Sequence, residues 1–258
     1  MINVASNKSA LKKRIVRFFD APKRHELRRF ILELSELGEV IAFGGVVRDI
    51  ALYGIKGFDS DIDLVVNCPP KSLASFFEKS NMTFEKNKFD GYRTTTKSWT
   101  VDVWPLEQTW AFKNNKVELI SRESLLRTTI TNWDAIAYSF SDGAILCHDD
   151  YFQVIKSGEI DLVLECNPNS AGVLLRTLRS IFDGKAKKLM PKALSYLKRE
   201  LNQRAGNEIY SLQQTMFGKE FFTERDIEKL RQEINLLNEN LFGSKVYPKG
   251  TIKHLFWN

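Results

Sequence analysis

Apolar residues recur along this chain with two different periods, and the changes of period divide it. From Ser9 to Phe19 and from Lys23 to Leu37 the spacing is helical, with Ile15, Phe18 and Phe19 on one stripe and Leu27, Phe30, Ile31 and Leu34 on the other. Both helices are predicted to be basic and amphipathic, broken at Asp20-Ala21-Pro22 and stopped at Gly38. A short apolar run, Val40 to Phe43, then meets Gly44-Gly45, and Val46 to Tyr53 returns to a helical pattern that ends at Gly54. Asp61 to Val66 alternates as a strand, placing Asp61 and Asp63 on one face and Ile62 and Leu64 on the other.

Beyond a turn at Asn67-Cys68-Pro69-Pro70 and a short helix from Ser72 to Lys79, the strand period dominates. Phe84–Phe89 and Tyr92–Lys97 are predicted to pair across a two-residue turn, Asp90-Gly91. Ser98 to Trp104 forms the next strand, with Trp99, Val101 and Val103 on one face and Asp102 on the other. Glu118 to Arg127 reads as helix or turn, and Asp142 to Leu146 as the return of a hairpin. After Asn169-Ser170, a good N-cap, the pattern is helical: 171–182, 192–203, 208–217, and 224–241 with Thr223 as its cap and Gly243 as its stop.

Composition changes this picture little. A chain of 258 residues with 43% hydrophobic content can bury a substantial core. No run is apolar enough to span a membrane, and Met1 to Asn7 lacks the apolar centre of a secretory signal, so a cytoplasmic enzyme without a membrane partner is the expectation. Cys68, Cys147 and Cys166 are too widely spaced for a disulfide framework or zinc site, and His148-Asp149-Asp150 reads as a surface turn.

The charge distribution adds more. Residues 1–29 hold nine Lys/Arg against two acids, residues 30–150 twelve against eighteen, and residues 151–258 seventeen against twelve. An acidic middle flanked by basic segments suits a metal site whose polyanionic partner is held by its neighbours, the alternative being ordinary solvated helix faces.

The candidate chemistry sits where the periods change. A glycine pair opening a helix lets backbone approach a bound group and aims N–H groups at it, an arrangement suited to phosphate. Two carboxylates about 7 Å apart on one strand face suit a shared divalent cation.

Gly44-Gly45-x-x-Arg48-Asp49 followed by Asp61-x-Asp63 resembles the head domain of the DNA polymerase β-like nucleotidyltransferases, in particular the branch of class II CCA-adding enzymes and bacterial poly(A) polymerases. The loop from Ile55 to Ser60 is a few residues longer than that pattern. The resemblance implies an α+β fold, a mixed-sheet nucleotidyltransferase head over 38–166 preceded by the basic helices of 1–37 and followed by a helical neck over 167–258. It covers roughly residues 38 to 185.

It also implies a third carboxylate on a neighbouring strand, and Asp102 stands in that place; the alternative for Asp102 is a solvent-facing acid on a half-exposed strand. Asp61, Asp63 and Asp102 would be catalytic and hold Mg²⁺ or Mn²⁺, and Gly44, Gly45 and Arg48 would bind the nucleoside triphosphate substrate, with an ion pair to Asp49 or another acid as the alternative for Arg48.

Two further motifs depart from the family. Asp134-Ala135-Ile136-Ala137 matches the end of the second, but Thr128, Thr129 and Ile130 stand where Arg-Arg-Asp would be. Residues 151–158 and 161–165 fill the place of a Gly-rich turn and a strand by shape alone. Arg176 and Arg179 match the two arginines of the third motif, whose acids are replaced by Gly172 and Val173, so these arginines are expected to contact nucleotide or phosphate, or simply to form a basic helix face.

The implied activity is metal-dependent transfer of a nucleoside monophosphate to an acceptor hydroxyl, foremost a tRNA-like RNA 3′ end. A protein or small-molecule acceptor, or a non-catalytic relative that only binds nucleotide or RNA, is the alternative.

Overall fold

The computed structural model describes residues 3–56, 58, 61–80, 82–87, 89–96, 99–183 and 185–236. The last turn of the helix expected to reach Leu241, its stop at Gly243 and the aromatic pair Phe256-Trp257 lie outside the described residues. The fold is α+β, and the chain divides into two compact units, one of residues Met1–Thr129 and Trp133–Phe152, the other of Ile130–Asn132 and Gln153–Asn258. The two N-terminal helices belong to the first unit, and residues 153–166 to the second.

The first unit is built on a seven-stranded mixed sheet. Its strands are β1 (Glu39–Phe43), β2 (Ile62–Asn67), β3 (Phe84–Lys86), β4 (Tyr92–Thr96), β5 (Trp99–Pro105), β6 (Ile136–Ser139) and β7 (Ile145–Cys147), in the order β3-β4-β5-β2-β1-β6-β7. Neighbours are antiparallel except β2 and β5, which run parallel. The helices are α1 (Lys8–Phe19), α2 (His25–Ser35), α3 (Gly45–Tyr53), α4 (Pro70–Lys79) and the short α5 (Trp110–Lys113). Val40, Ile41 and Ala42 in succession have no exposed surface, so β1 is covered on both faces, and α3 packs on it as well as on β2 and β6. The apolar stripes of α1 and α2 are the expected ones: Ile15, Phe18, Leu27, Phe30, Ile31 and Leu34 are all buried. Arg24 lies 3.7 Å from the centroid of the Phe18 ring, and Trp99 stacks on Phe58 with centroids 5.1 Å apart, so an aromatic cluster joins α1 to the start of β5.

One turn differs from expectation. β3 and β4 are joined by the five residues 87–91, not by Asp90-Gly91 alone. The Asn87 side-chain oxygen accepts from the N–H groups of Phe89 (2.9 Å) and Gly91 (3.0 Å), a local alternative to strand pairing that ends the ladder early. Gly91 is required by packing, since a Cβ there would lie 2.1 Å from the Trp104 indole nitrogen. His148-Asp149-Asp150 forms an exposed turn.

The helix α6 (Tyr151–Ser157) starts in the first unit and runs into the second, where β8 (Glu159–Ile160) pairs in parallel with β9 (Lys188–Leu189). A helix therefore stands where a Gly-rich turn was expected, and the strand comes earlier. Residues 130–132 are stitched to this strand's continuation, with Val163 N–H donating to the Ile130 carbonyl at 2.9 Å. Four helices follow, α7 (Ser170–Phe182), α8 (Pro191–Gln203), α9 (Gly206–Phe217) and α10 (Glu224–Leu236), around Leu174, Leu178, Ile181, Leu197, Ile209 and Leu230. Asn169 caps α7 by accepting from Gly172 N–H at 2.9 Å, and Thr223 and Asp226 cap α10 reciprocally. Among the described residues no helix is long and apolar enough to cross a membrane.

Candidate active site

Strand register brings the sequence-selected residues of the first unit to one end of its sheet. β1 runs antiparallel to β2 with Ala42 opposite Leu64, so Gly44, two residues on, stands level with Ile62 at the start of β2. β5 runs parallel to β2 with Ile62 opposite Val101, which puts the start of β5 at the same end. The glycine turn, Asp61, Asp63 and Asp102 thus share one end of the sheet.

Gly44 has φ +65° and ψ −126°, a conformation that side chains with a Cβ resist, and its own N–H donates to the Ile136 carbonyl at 3.0 Å. Among the described residues a Cβ built there would meet nothing within 4 Å, so the glycine is required by the backbone turn and not by a close neighbour. Among the described residues no side chain caps α3, and the first intrahelical bond runs from Arg48 N–H to the Gly44 carbonyl. The N–H groups of Gly45, Val46 and Val47 therefore have no intrahelical acceptor, which suits an anion.

The carboxylates form a row. Asp63 on β2 is the register partner of Asp102 on β5, and Asp102 that of Arg93 on β4, so the three side chains leave one face of the sheet side by side. Asp102 is 3% exposed, which removes the alternative of a solvent-facing acid, while Asp61 stands just ahead of β2 with about half its side chain exposed.

Arg93 was not singled out from the sequence, yet it binds the carboxylates together. Its Nε donates to Asp102 Oδ1 at 2.9 Å and its terminal nitrogen to Asp102 Oδ2 at 2.5 Å, a bidentate pair, and the same nitrogen reaches Asp61 Oδ2 at 3.2 Å. The hydrogen bonds to Asp102, followed by the charges of Asp102, Asp61 and Asp63, outweigh partial burial and hold the guanidinium's pKa above its usual value. A signal for this lay in the sequence: with two residues between Thr96 and Trp99, a tight β4–β5 hairpin sets residue 93 opposite residue 102.

The donors suit a divalent cation. All three are hard carboxylate oxygens, and the Arg93 guanidinium already stands as a positive group between Asp61 and Asp102. Among the described residues no three His, Cys, Asp or Glu side chains are gathered as a ready-made metal cage.

Arg48 is engaged within the protein, its Nε donating to Asp49 Oδ1 at 2.8 Å and its terminal nitrogen to Asp134. Burial opposes its charge, but Asp134 and Asp49 outweigh that penalty and its pKa is raised. Beside it the buried Tyr151 hydroxyl donates to the Trp133 carbonyl at 2.7 Å, and burial pushes that phenol well above its usual pKa.

Arg176 and Arg179 lie on α7 in the second unit. Arg176 is exposed, while Arg179 pairs with Asp183 at 3.5 Å and lies 4.4 Å from the centroid of the Phe221 ring.

No protein-family model and no curated protein matches the chain. Solved structures do. The chain is similar to Thermotoga maritima CCA-adding enzyme complexed with tRNA, with 18% identity, TM-score 0.55, and 91% of this chain and 63% of that one covered. It is similar to a tRNA-processing enzyme in an apo form, with 19% identity, TM-score 0.57, and 86% and 62% covered. It is also similar to a tRNA nucleotidyltransferase complexed with a primer tRNA and an incoming ATP analog, with 20% identity, TM-score 0.53, and 81% and 60% covered. The chain therefore shares the fold of these structures over the matched part, and it spans about three fifths of their length.

Proposed function

We propose that the chain is a metal-dependent nucleotidyltransferase that moves a nucleoside monophosphate from a nucleoside triphosphate to an acceptor hydroxyl, with a tRNA-like RNA 3′ end as the acceptor. The observation that carries the reading is the register pairing of Asp63 with Asp102 beside Asp61, at the sheet end that also holds the Gly44 turn. The basic N-terminal segment and the likeness of the fold to enzymes solved with tRNA favour RNA over other acceptors.

Asp61, Asp63 and Asp102 would hold two Mg²⁺ or Mn²⁺. When bound, such ions would supply Lewis-acid stabilisation of the negative charge that develops during the transfer. The Gly44-Gly45 turn and the first N–H groups of α3 hold the β- and γ-phosphates. Asp102, the innermost carboxylate, accepts the proton of the acceptor hydroxyl as its oxygen bonds to the α-phosphorus. The bond from that phosphorus to the bridging oxygen breaks, and pyrophosphate leaves. Arg48, tied to Asp49 and Asp134, steadies the start of α3, and Arg176, exposed on α7, is a contact for RNA phosphate.

The test is incubation with each α-³²P-labelled nucleoside triphosphate, Mg²⁺ or Mn²⁺ and total RNA, beside an Asp61→Ala/Asp63→Ala control. Label entering RNA only with the aspartates intact supports the reading. Label entering protein or metabolites would move the acceptor, and none in any fraction would leave a binding protein.

A further inference from the structure

The Arg93 fork sits on the carboxylates that the proposed function assigns to metal. Both oxygens of Asp102 accept from it, and a third bond reaches Asp61. A cation coordinated by Asp61 and Asp102 needs the same lone pairs, and two positive groups do not share them in a partly buried row. Arg93 also has somewhere to go: its side chain is about half exposed, and its register partner on the far side, Glu85 on β3, is an exposed carboxylate.

We infer that Arg93 is the resident counter-ion of this site and that a divalent cation binds by displacing its guanidinium from Asp61 and Asp102. The inference rests on the reading of these carboxylates as metal ligands. In the metal-free protein the guanidinium neutralises an acid cluster that would otherwise repel itself. When metal enters, the bidentate pair opens, and both oxygens of Asp102 become available to the cation and to a proton. Metal affinity is thus set partly by a competitor built into the neighbouring strand, and Arg93 acts as a positioning residue for the acids.

The test is direct Mn²⁺ binding to the full chain, read by the electron paramagnetic resonance signal of free Mn²⁺, without nucleotide. Arg93→Gln should bind Mn²⁺ about tenfold more tightly than the unsubstituted chain, the worth of one charge-assisted contact removed. Mn²⁺ should also raise its melting temperature by more, because the metal replaces the lost counter-ion. Arg93→Lys, which keeps the charge but loses the fork, should fall between. Equal Mn²⁺ affinity in the unsubstituted chain and Arg93→Gln overturns the inference and leaves the metal site standing. No Mn²⁺ bound by either overturns the metal reading itself. If Arg93→Gln does not fold, Arg93→Lys decides: tighter Mn²⁺ binding supports displacement and unchanged binding refutes it.

Discussion

Asp63 and Asp102 are direct register partners across the parallel pair β2–β5, so two acids distant in sequence leave the same sheet face on neighbouring strands about 5 Å apart. Side-by-side carboxylates repel unless a positive group lies between or beside them, and Arg93 is that group.

Asp102→Asn should therefore act twice. Transfer should fall by at least about a hundredfold, the scale on which removing one preorganised electrostatic group acts. Stability should fall too, by roughly 1–3 kcal/mol, because a buried charge-assisted pair is broken. Asp61→Asn, at a half-exposed position, should lose comparable activity with little change in stability. Transfer assays beside urea denaturation separate the two, and an active Asp102→Asn enzyme would refute the assignment.

Gly44→Ala should be destabilised by roughly 1–3 kcal/mol, since φ +65° with ψ −126° strains any residue with a Cβ. Among the described residues no neighbour clashes with the added methyl, so the loss should be one of backbone conformation, and triphosphate binding should weaken with it. Thermal melts with and without nucleoside triphosphate check this. A variant as stable as the parent would mean that the turn relaxes freely.

The run from β1 through α3 to β2 was legible almost residue by residue because its signals are local: a glycine pair, a helical stripe and an alternating strand, each within one element. Asp102 was legible as an odd acid between valines. Its burial and its partner were not, because both depend on pairing, which is fixed by hairpin spacing and by how strands order in the sheet. Arg93 lies in a Tyr-Arg-Thr-Thr-Thr strand that looks like any half-exposed hairpin arm until Asp102 stands opposite. The same limit hid the Asn87 turn, where a side chain outcompeted the backbone ladder, and the β8–β9 pair, whose two-residue strands carry no period.

Acid should weaken the first unit partly through Asp142. The hydrogen bond from Arg122, and then that from Ala144 N–H, draw its carboxyl down to about 2 from 3.8. A lowered folded pKa contributes stability that is present above the ordinary value and lost as pH falls from about 4 through about 2. Since the side chain is half exposed, the amount should stay under about 1 kcal/mol. Asp142→Asn should flatten that part of the stability–pH curve, and superimposable curves would discount the pair.

Arg48 and Asp134 should prove energetically coupled, although they are far apart in sequence. Arg48 holds Asp49 within α3 and reaches across to Asp134, on the chain entering β6, whose Ile136 carbonyl in turn fixes Gly44. Removing Asp134 leaves the largely buried Arg48 charge with Asp49 alone, and removing Arg48 takes the shared cation from two acids, so Asp134→Asn and Arg48→Met should each cost roughly 1–3 kcal/mol, below the 3–5 kcal/mol scale of a fully buried pair. The double variant loses the charge conflict as well as the pair. It should be more stable than the sum of the single losses predicts by about 1 kcal/mol or more, a coupling that urea denaturation of all four proteins measures. Additive losses would mean that the two side chains steady the glycine turn independently, each through its own contacts.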